Sequence, residues 1–380
     1  MKKLFFTATL LATILLAIFL SPTLAAATLA ESAVIVDGTN IGTSRGDMLP
    51  LRDVVTHVGG TVSWDNQSRK ITIRMGNNNP TAVMAIGSNH ATISGSAVEL
   101  AVPPVLANGQ TFVSLCFLAD HLGIGAGYKN NRFILSSTPA RQIPILTYHH
   151  ILPDDVNTRF RDNPWTISTY NFANQMRYLH ENGFYTPTLC ELEAFLYKGR
   201  PLPANSIMIH FDDGYYSNYV YAYPILQRYG LRAVIFAITA NAQYLGSYQP
   251  PMCHESLTWA AATTLLTGAD VFETASHTHA MHRHNADTNR TILVTQTHEN
   301  ILQDTLQSFE YVSNHRAFAY PHGQFNDTVI HALAEAGITM AFTINTGYVT
   351  ATSDPFRLNR FTIYRTTTMA RFRAIVNRRA

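Results

Sequence analysis

From residue 144 onward, short apolar runs of strand length alternate with helix-length amphipathic segments, and this alternation constrains the fold more than any other feature of the chain. The spacing predicts strands at 144–148, 207–211, 233–238, 270–274, 317–320 and 340–344. It predicts helices at 169–182, 217–229, 254–266, 289–309 and 327–336. Strand and helix in strict alternation argue for a parallel sheet, either open or closed into a barrel. In both forms, functional side chains gather where the strands end.

The chain has 380 residues, more than one hydrophobic core usually organises, so two domains are expected at roughly 100 to 200 residues each. With 46% hydrophobic and 14% charged residues, wholesale disorder is excluded. The formal net charge is +2, and losing Lys2 and Lys3 with a leader would bring it to 25 − 25 = 0. So balanced a chain lacks the basic footprint of a nucleic-acid binder. Cys116, Cys190 and Cys253 are too few and too scattered for a disulfide scaffold or a CxxC metal site, leaving room for one disulfide and a free thiol.

Lys2 and Lys3 precede an apolar run from Leu4 to Leu20, followed by Ser21-Pro22 and then Ala25-Ala26-Ala27. That order reads as a secretory signal over residues 1–27, cut near Ala27, which places the mature protein outside the cytoplasm or at the cell surface. The alternative is an uncleaved membrane anchor, for which the run is just short.

The next hundred residues repeat themselves. Leu49-Pro50-Leu51-Arg52, the segment 54–59 and Trp64 are echoed by Val113-Ser114-Leu115-Cys116, the segment 118–123 and Tyr128, at a constant offset (114 − 50 and 123 − 59 both give 64). Each copy reads as a short helix stopped by glycine, then a strand, so two copies burying their apolar faces together form a small α+β domain. Over residues 33–136 the pattern resembles the copper amine oxidase N-terminal-like domain, a stalk module. The resemblance implies a spacer or cell-wall contact domain. It implies no copper, because His57, His90 and His121 lack ligand spacing. Residues 136–141, with Pro139, read as the linker.

Three polar clusters fall at predicted strand ends. His210-Phe211-Asp212-Asp213-Gly214-Tyr215 sets two carboxylates side by side, which repel unless a cation sits nearby; alone it also reads as a plain Asp-Gly turn. Ser276-His277-Thr278-His279-Ala280-Met281-His282-Arg283-His284 carries His277 and His282 five apart, a spacing that diverges on a helix and converges only across a bend. Alone it reads equally as a histidine-rich surface loop. Phe318-Ala319-Tyr320-Pro321-His322-Gly323 is, by itself, an ordinary loop.

In this order on an alternating scaffold, the clusters resemble the motifs of the polysaccharide deacetylase family, a match spanning roughly residues 142–365 of a domain that runs to 380. The resemblance implies an irregular (β/α) barrel, behind the duplicated stalk domain, that hydrolyses acetyl groups from glycans. It assigns Asp212 as general base and Asp213, His277 and His282 as ligands of a divalent metal. Zinc is the default ion, with iron, cobalt and nickel also suited to one carboxylate and two imidazoles. The five-residue histidine spacing is similar to the branch acting on exopolysaccharide poly-N-acetylglucosamine, as is Ile145-Leu146-Thr147-Tyr148-His149-His150.

The third cluster would form a wall of the substrate groove through Tyr320, Pro321 and His322, with a backbone amide near His322 holding the oxyanion. Tyr215 and Trp165 are further candidates for sugar contact. Two departures stand out: Ala319 occupies a position where many members carry Arg, and no histidine follows His331 to supply the usual late general acid. By resemblance to the same branch, His149 is the candidate proton donor. Arg360 either orients Asp212 or makes a structural salt bridge. Arg371, Arg373, Arg378 and Arg379 read as a solvated tail.

The leading expectation is a secreted, metal-dependent deacetylase of an N-acetylglucosamine polymer. The alternatives are an O-acetyl esterase acting on acetylated glycan and a non-catalytic carbohydrate-binding protein of the cell wall.

Overall fold

The computed structural model describes residues 30–76, 81–243, 271–286 and 288–379. The signal segment with its cleavage site, the helix expected at 254–266, Trp259 and Cys253 lie outside the described residues. No helix among the described residues is long and apolar enough to cross a membrane. Cys116 and Cys190 are both free thiols.

Seven parallel strands form the second half of the chain, in the spatial order Met340–Phe342, Ala317–Ala319, Phe272–Ser276, Ala233–Ala237, Met208–Phe211, Ile145–Tyr148, Phe361–Thr362. A parallel bridge between Phe342 and Leu358 draws the two edges of this curled sheet together, as an irregular (β/α) barrel requires. Period-2 alternation splits each strand between two cores. Ile145, Met208, Val234, Phe236, Ala317 and Phe342 pack in one, while Leu146, Tyr148, Ile209, Phe211 and Ile235 pack against Phe172, Met176 and Phe372 of the surrounding helices in the other.

Two expected helices differ from the sequence reading. The segment expected as one helix over 217–229 is a π turn, Asn218–Ala222, running into Tyr223–Arg228. The helix expected over 289–309 is confined to His298–Ser308, because Thr297 accepts a hydrogen bond from the Asn300 N–H and starts the helix there; a 3-10 turn, Leu293–Thr295, precedes it. The chain also ends differently. Met369–Val376 is a helix, and Arg378 donates to the carbonyls of Gln142, Ala204 and Ser206, so this arginine pins the terminus to the barrel.

In the first domain the repeated strands Met48–Pro50 and Gln110–Ser114 pair antiparallel, with Leu49 opposite its own counterpart Val113. The two copies are thus related by a local two-fold and share one core, in which Leu49, Val54, Val55, Val113, Leu118 and Leu122 are buried.

This domain seats on the barrel through the strand Gly125–Lys129. A Cβ at Gly127 would lie 2.3 Å from the Tyr185 ring, so only glycine admits that contact. The Tyr128 N–H donates to Tyr185 Oη at 3.0 Å, and Lys129 Nζ donates to Thr186 Oγ1 at 3.0 Å. Burial, with Arg232 beside it, holds the Lys129 ammonium down to about 7 against the opposing charge of Glu191. An unfolded lysine titrates near 10.4, so between about pH 7 and 10.4 the unfolded chain binds a proton that the native state lacks. Native stability therefore rises with pH across that window, and below about pH 7 the whole penalty of the buried charge is present. The expected outcome is that Lys129→Met gains most over the parent near pH 7 and that its advantage shrinks towards pH 10. Melting temperatures across that range test this, and a pH-independent difference would contradict it.

Candidate functional site

The carboxyl ends of three barrel strands bring the predicted polar clusters together. Asp212 and Asp213 follow Met208–Phe211, His277 follows Phe272–Ser276, and Tyr320 to Gly323 follow Ala317–Ala319. Asp213 Oδ1 lies 3.5 Å from His277 Nε2 and 3.2 Å from His282 Nε2. One ligand atom from each of these three residues lies within 4.8 Å of the others, which brings together the three residues expected to hold a metal.

Local backbone distortion makes this convergence possible. Asp213, Thr278 and His322 all have positive φ, at 74°, 72° and 52°, a region that side chains other than glycine rarely enter. The left-handed turn at Thr278 is the bend that the five-residue histidine spacing demands. Asp304 then anchors the loop by accepting hydrogen bonds from the N–H groups of His279 and Ala280, both at 2.8 Å. His279 is correspondingly buried, with Nδ1 2.9 Å from Thr239 Oγ1, and so is not the exposed loop residue its sequence context suggested. Asp304 escaped the sequence reading. Its signal was a lone acid on the buried stripe of its helix, beside Ile301, Thr305 and Ser308.

The donor set fits a cation. His277 Nδ1 lies 2.7 Å from the carbonyl oxygen of Ala319, and a carbonyl only accepts, so Nδ1 carries the hydrogen. In the neutral ring, the Nε2 lone pair then faces the lone pairs of Asp213 Oδ1. Such an arrangement calls for a positive charge between them, either a proton or a metal. The same demand shows in the titration. Burial alone would raise the Asp213 carboxyl, but hydrogen bonds from His277 and His282 hold it well below the usual carboxylate range.

Asp212 has a different partner. Arg360, fully buried, donates from both terminal nitrogens to the two Asp212 oxygens at 2.8 Å and from Nε to the Thr343 carbonyl. Burial alone would raise the Asp212 carboxyl; the Arg360 charge outweighs it and, with His277, brings the group to about 2. The arginine missing at position 319 is thus matched by one arriving from the far side of the sheet, while Ala319 supplies the carbonyl that orients His277.

The remaining candidates divide. His149 is half-buried, with Nδ1 lacking a partner among the described residues, and its ring lies 6.3 Å from that of Trp165, which is 45% exposed. His149 lies close enough to Asp212 and Asp213 for its charge to favour both carboxylates. His322 is exposed, 4.6 Å from the His282 ring and 4.1 Å from the His284 ring. Burial, then the neighbouring His282 and His284, lower its pKa to about 4. Tyr215 hydrogen-bonds Asp213, and its ring stacks at 3.6 Å on the buried His150, so it supports a candidate ligand from beneath.

Tyr320 and Pro321 do not line a groove. Tyr320 has no exposure, and its hydroxyl donates to the Phe356 carbonyl; Pro321 is buried beside it. The physical reason is strand parity: Tyr320 shares the face of Phe318, which packs under the helices, rather than that of Ala317 and Ala319.

Residues 31–135 match the copper amine oxidase N-terminal domain family, and residues 199–341 match the polysaccharide deacetylase family. Over 204 residues the chain is 28% identical to the poly-beta-1,6-N-acetyl-D-glucosamine N-deacetylase of Staphylococcus aureus (strain MRSA252), covering 52% of this chain and 68% of that one. Its fold is similar to that of the Streptococcus pyogenes deacetylase PplD in complex with acetate, at a TM-score of 0.53 and 23% identity over 63% of this chain and 99% of that one. It is also similar to IcaB from Ammonifex degensii, at a TM-score of 0.52 and 22% identity over 64% of this chain and 99% of that one.

Removing one member of a buried ion pair strands the other. Arg360→Leu is expected to destabilise the fold by about 3 to 5 kcal/mol, with partial recovery when Asp212→Asn is added. Urea denaturation of the two variants measures this, and a single variant as stable as the parent would contradict it.

Proposed function

Because residues 199–341 match the polysaccharide deacetylase family, we propose that this chain is a secreted, divalent-metal-dependent enzyme removing N-acetyl groups from an N-acetylglucosamine polymer. The observation that carries this reading is the convergence of the Asp213 carboxylate with the His277 and His282 imidazoles beside a second, separately neutralised carboxylate. Asp213, His277 and His282 would hold the cation, and zinc suits their donor types. When bound, a divalent ion there polarises a carbonyl and lowers the pKa of a coordinated water to about 7.

Asp212 acts as the general base. Arg360 keeps it ionised and fixes its plane while occupying only two of its roughly four lone-pair sites, which leaves an acceptor for the proton of the attacking water. Attack forms a carbon–oxygen bond at the acetyl carbonyl, and collapse breaks the carbon–nitrogen bond. The amine departs with a proton delivered by His149, whose position near both aspartates and whose unpartnered Nδ1 support this role. Trp165, beside His149, offers the ring of a neighbouring sugar an apolar platform. The S. aureus relative is named for a poly-N-acetylglucosamine substrate, which supports that polymer as the substrate class. Secretion is supported by Lys2 and Lys3 ahead of the apolar run, and cell-wall contact by the first domain is part of the same proposal.

The test is acetate release from a panel of N- and O-acetylated glycans, with and without chelator, alongside metal analysis. Asp212→Asn is expected to keep the metal and lose about 10² to 10⁴ in turnover, whereas Asp213→Ala loses both. Chelator-insensitive turnover, or full activity in the Asn variant, would overturn the mechanism. Release from esters alone would reassign the enzyme to O-acetyl hydrolysis.

A further inference from the structure

The duplication in the first domain has diverged at one place. In the second copy Tyr128 is 40% exposed, as Trp64 is in the first, but it packs its ring 4.8 Å from that of Phe133 and donates to Asn131 Oδ1, and Phe117 is 3% exposed in the core. The barrel covers the adjoining strand face at Gly127. The first copy places Trp64, Asp53 and Ser63 at the positions of Tyr128, Phe117 and Gly127. There the structure opens into a cleft of about 510 Å³, lined by Arg52, Asp53, Trp64, Asn66, Leu106 and Gln110 among others. Trp64 is 40% exposed and Leu106 53%. Gln110 Nε2 donates to Asp53 Oδ2, and Trp64 Nε1 donates to Asn66 Oδ1 at 2.6 Å, so the polar groups and the indole are held in place before any ligand arrives.

We infer that this cleft is a second glycan-binding site, taking an acetylated, uncharged stretch of the same N-acetylglucosamine polymer that the barrel deacetylates. The inference rests on the substrate class proposed above. A pyranose ring has one flat face of C–H groups and a rim of hydroxyls, which the exposed indole and the preorganised carboxylate-amide pair complement in turn. Arg52 and Asp53 contribute opposite charges, so the lining selects neither a polyanion nor a polycation. Where Phe117 fills the second copy, Asp53 replaces apolar packing with a hydrogen-bonding group, a change that weakens a core and serves a polar ligand. With both sites on one chain, a polymer held at the first domain raises its own effective concentration at the barrel, whereas an oligomer too short to span them gains nothing.

The experiment uses the full chain and two readouts. Sedimentation with insoluble poly-N-acetylglucosamine measures retention without turnover, and acetate release is compared between that polymer and N-acetylglucosamine trimer. Trp64→Ala and Gln110→Ala are expected to lower retention and raise KM on the polymer about tenfold, with kcat and KM on the trimer unchanged. Trp64→Phe, which keeps an aromatic face, should restore most of the loss. Retention and polymer KM equal to the parent in Trp64→Ala would overturn the inference, as would a Phe variant no better than Ala. A parent chain that releases no acetate but sediments through Trp64 would defeat the proposed function and leave this site standing; the converse result would do the reverse.

Discussion

A carboxylate sealed at the end of a parallel sheet is tolerable only with a cation against it, and for Asp212 that cation is the guanidinium of Arg360. Both side chains are withdrawn from water, so their pairing constrains everything around it. The planar fork requires Arg360 to lie in the carboxylate plane. Its Nε bond to the Thr343 carbonyl fixes the chain after Met340–Phe342, and the Arg360 N–H bond to the Asn345 carbonyl fixes it again. Closure of the curled sheet across Phe342 and Leu358 and neutralisation of Asp212 are thus coupled. Asp213 instead faces His277 and His282, so the neighbouring carboxylates sit in different surroundings.

Strain is distributed in keeping with that division. Three of the non-glycine residues with positive φ, at 213, 278 and 322, follow the barrel strands Met208–Phe211, Phe272–Ser276 and Ala317–Ala319. Each re-aims a side chain that a relaxed turn would direct elsewhere. The surroundings over-determine them: Asp304 grips the loop after Thr278, and Gly323, with φ +71° and Ile344 only 2.4 Å from where a Cβ would sit, lets the chain turn tightly after His322. In the first domain the two copies of the repeat differ instead in packing: Phe117 fills the core of the second, where the first has Asp53.

Much of this was legible in the residues themselves. Strand and helix alternation announced the parallel sheet, because buried parallel strands are short continuous apolar runs. The Asp212-Asp213 pair and the two histidines were recognisable as ligand types, and the five-residue spacing even stated that a bend had to intervene. What stayed hidden depended on distance along the chain. Phe361–Thr362 is too short to show a period, Arg378 reaches carbonyls more than 170 residues away, and Asp304 serves a loop more than 20 residues before it. Tyr320 differs for another reason: the family resemblance implied a groove wall there, and only its parity with Phe318 reveals that it faces the core.

The central claim is that Asp213, His277 and His282 share one divalent cation. The measurement that tests it most directly is anomalous diffraction from crystals of the zinc-loaded full chain. The expected result is a single strong peak about 2.0 to 2.2 Å from Asp213 Oδ1 and from Nε2 of both histidines. A peak bound elsewhere, or none at full zinc loading, would contradict it.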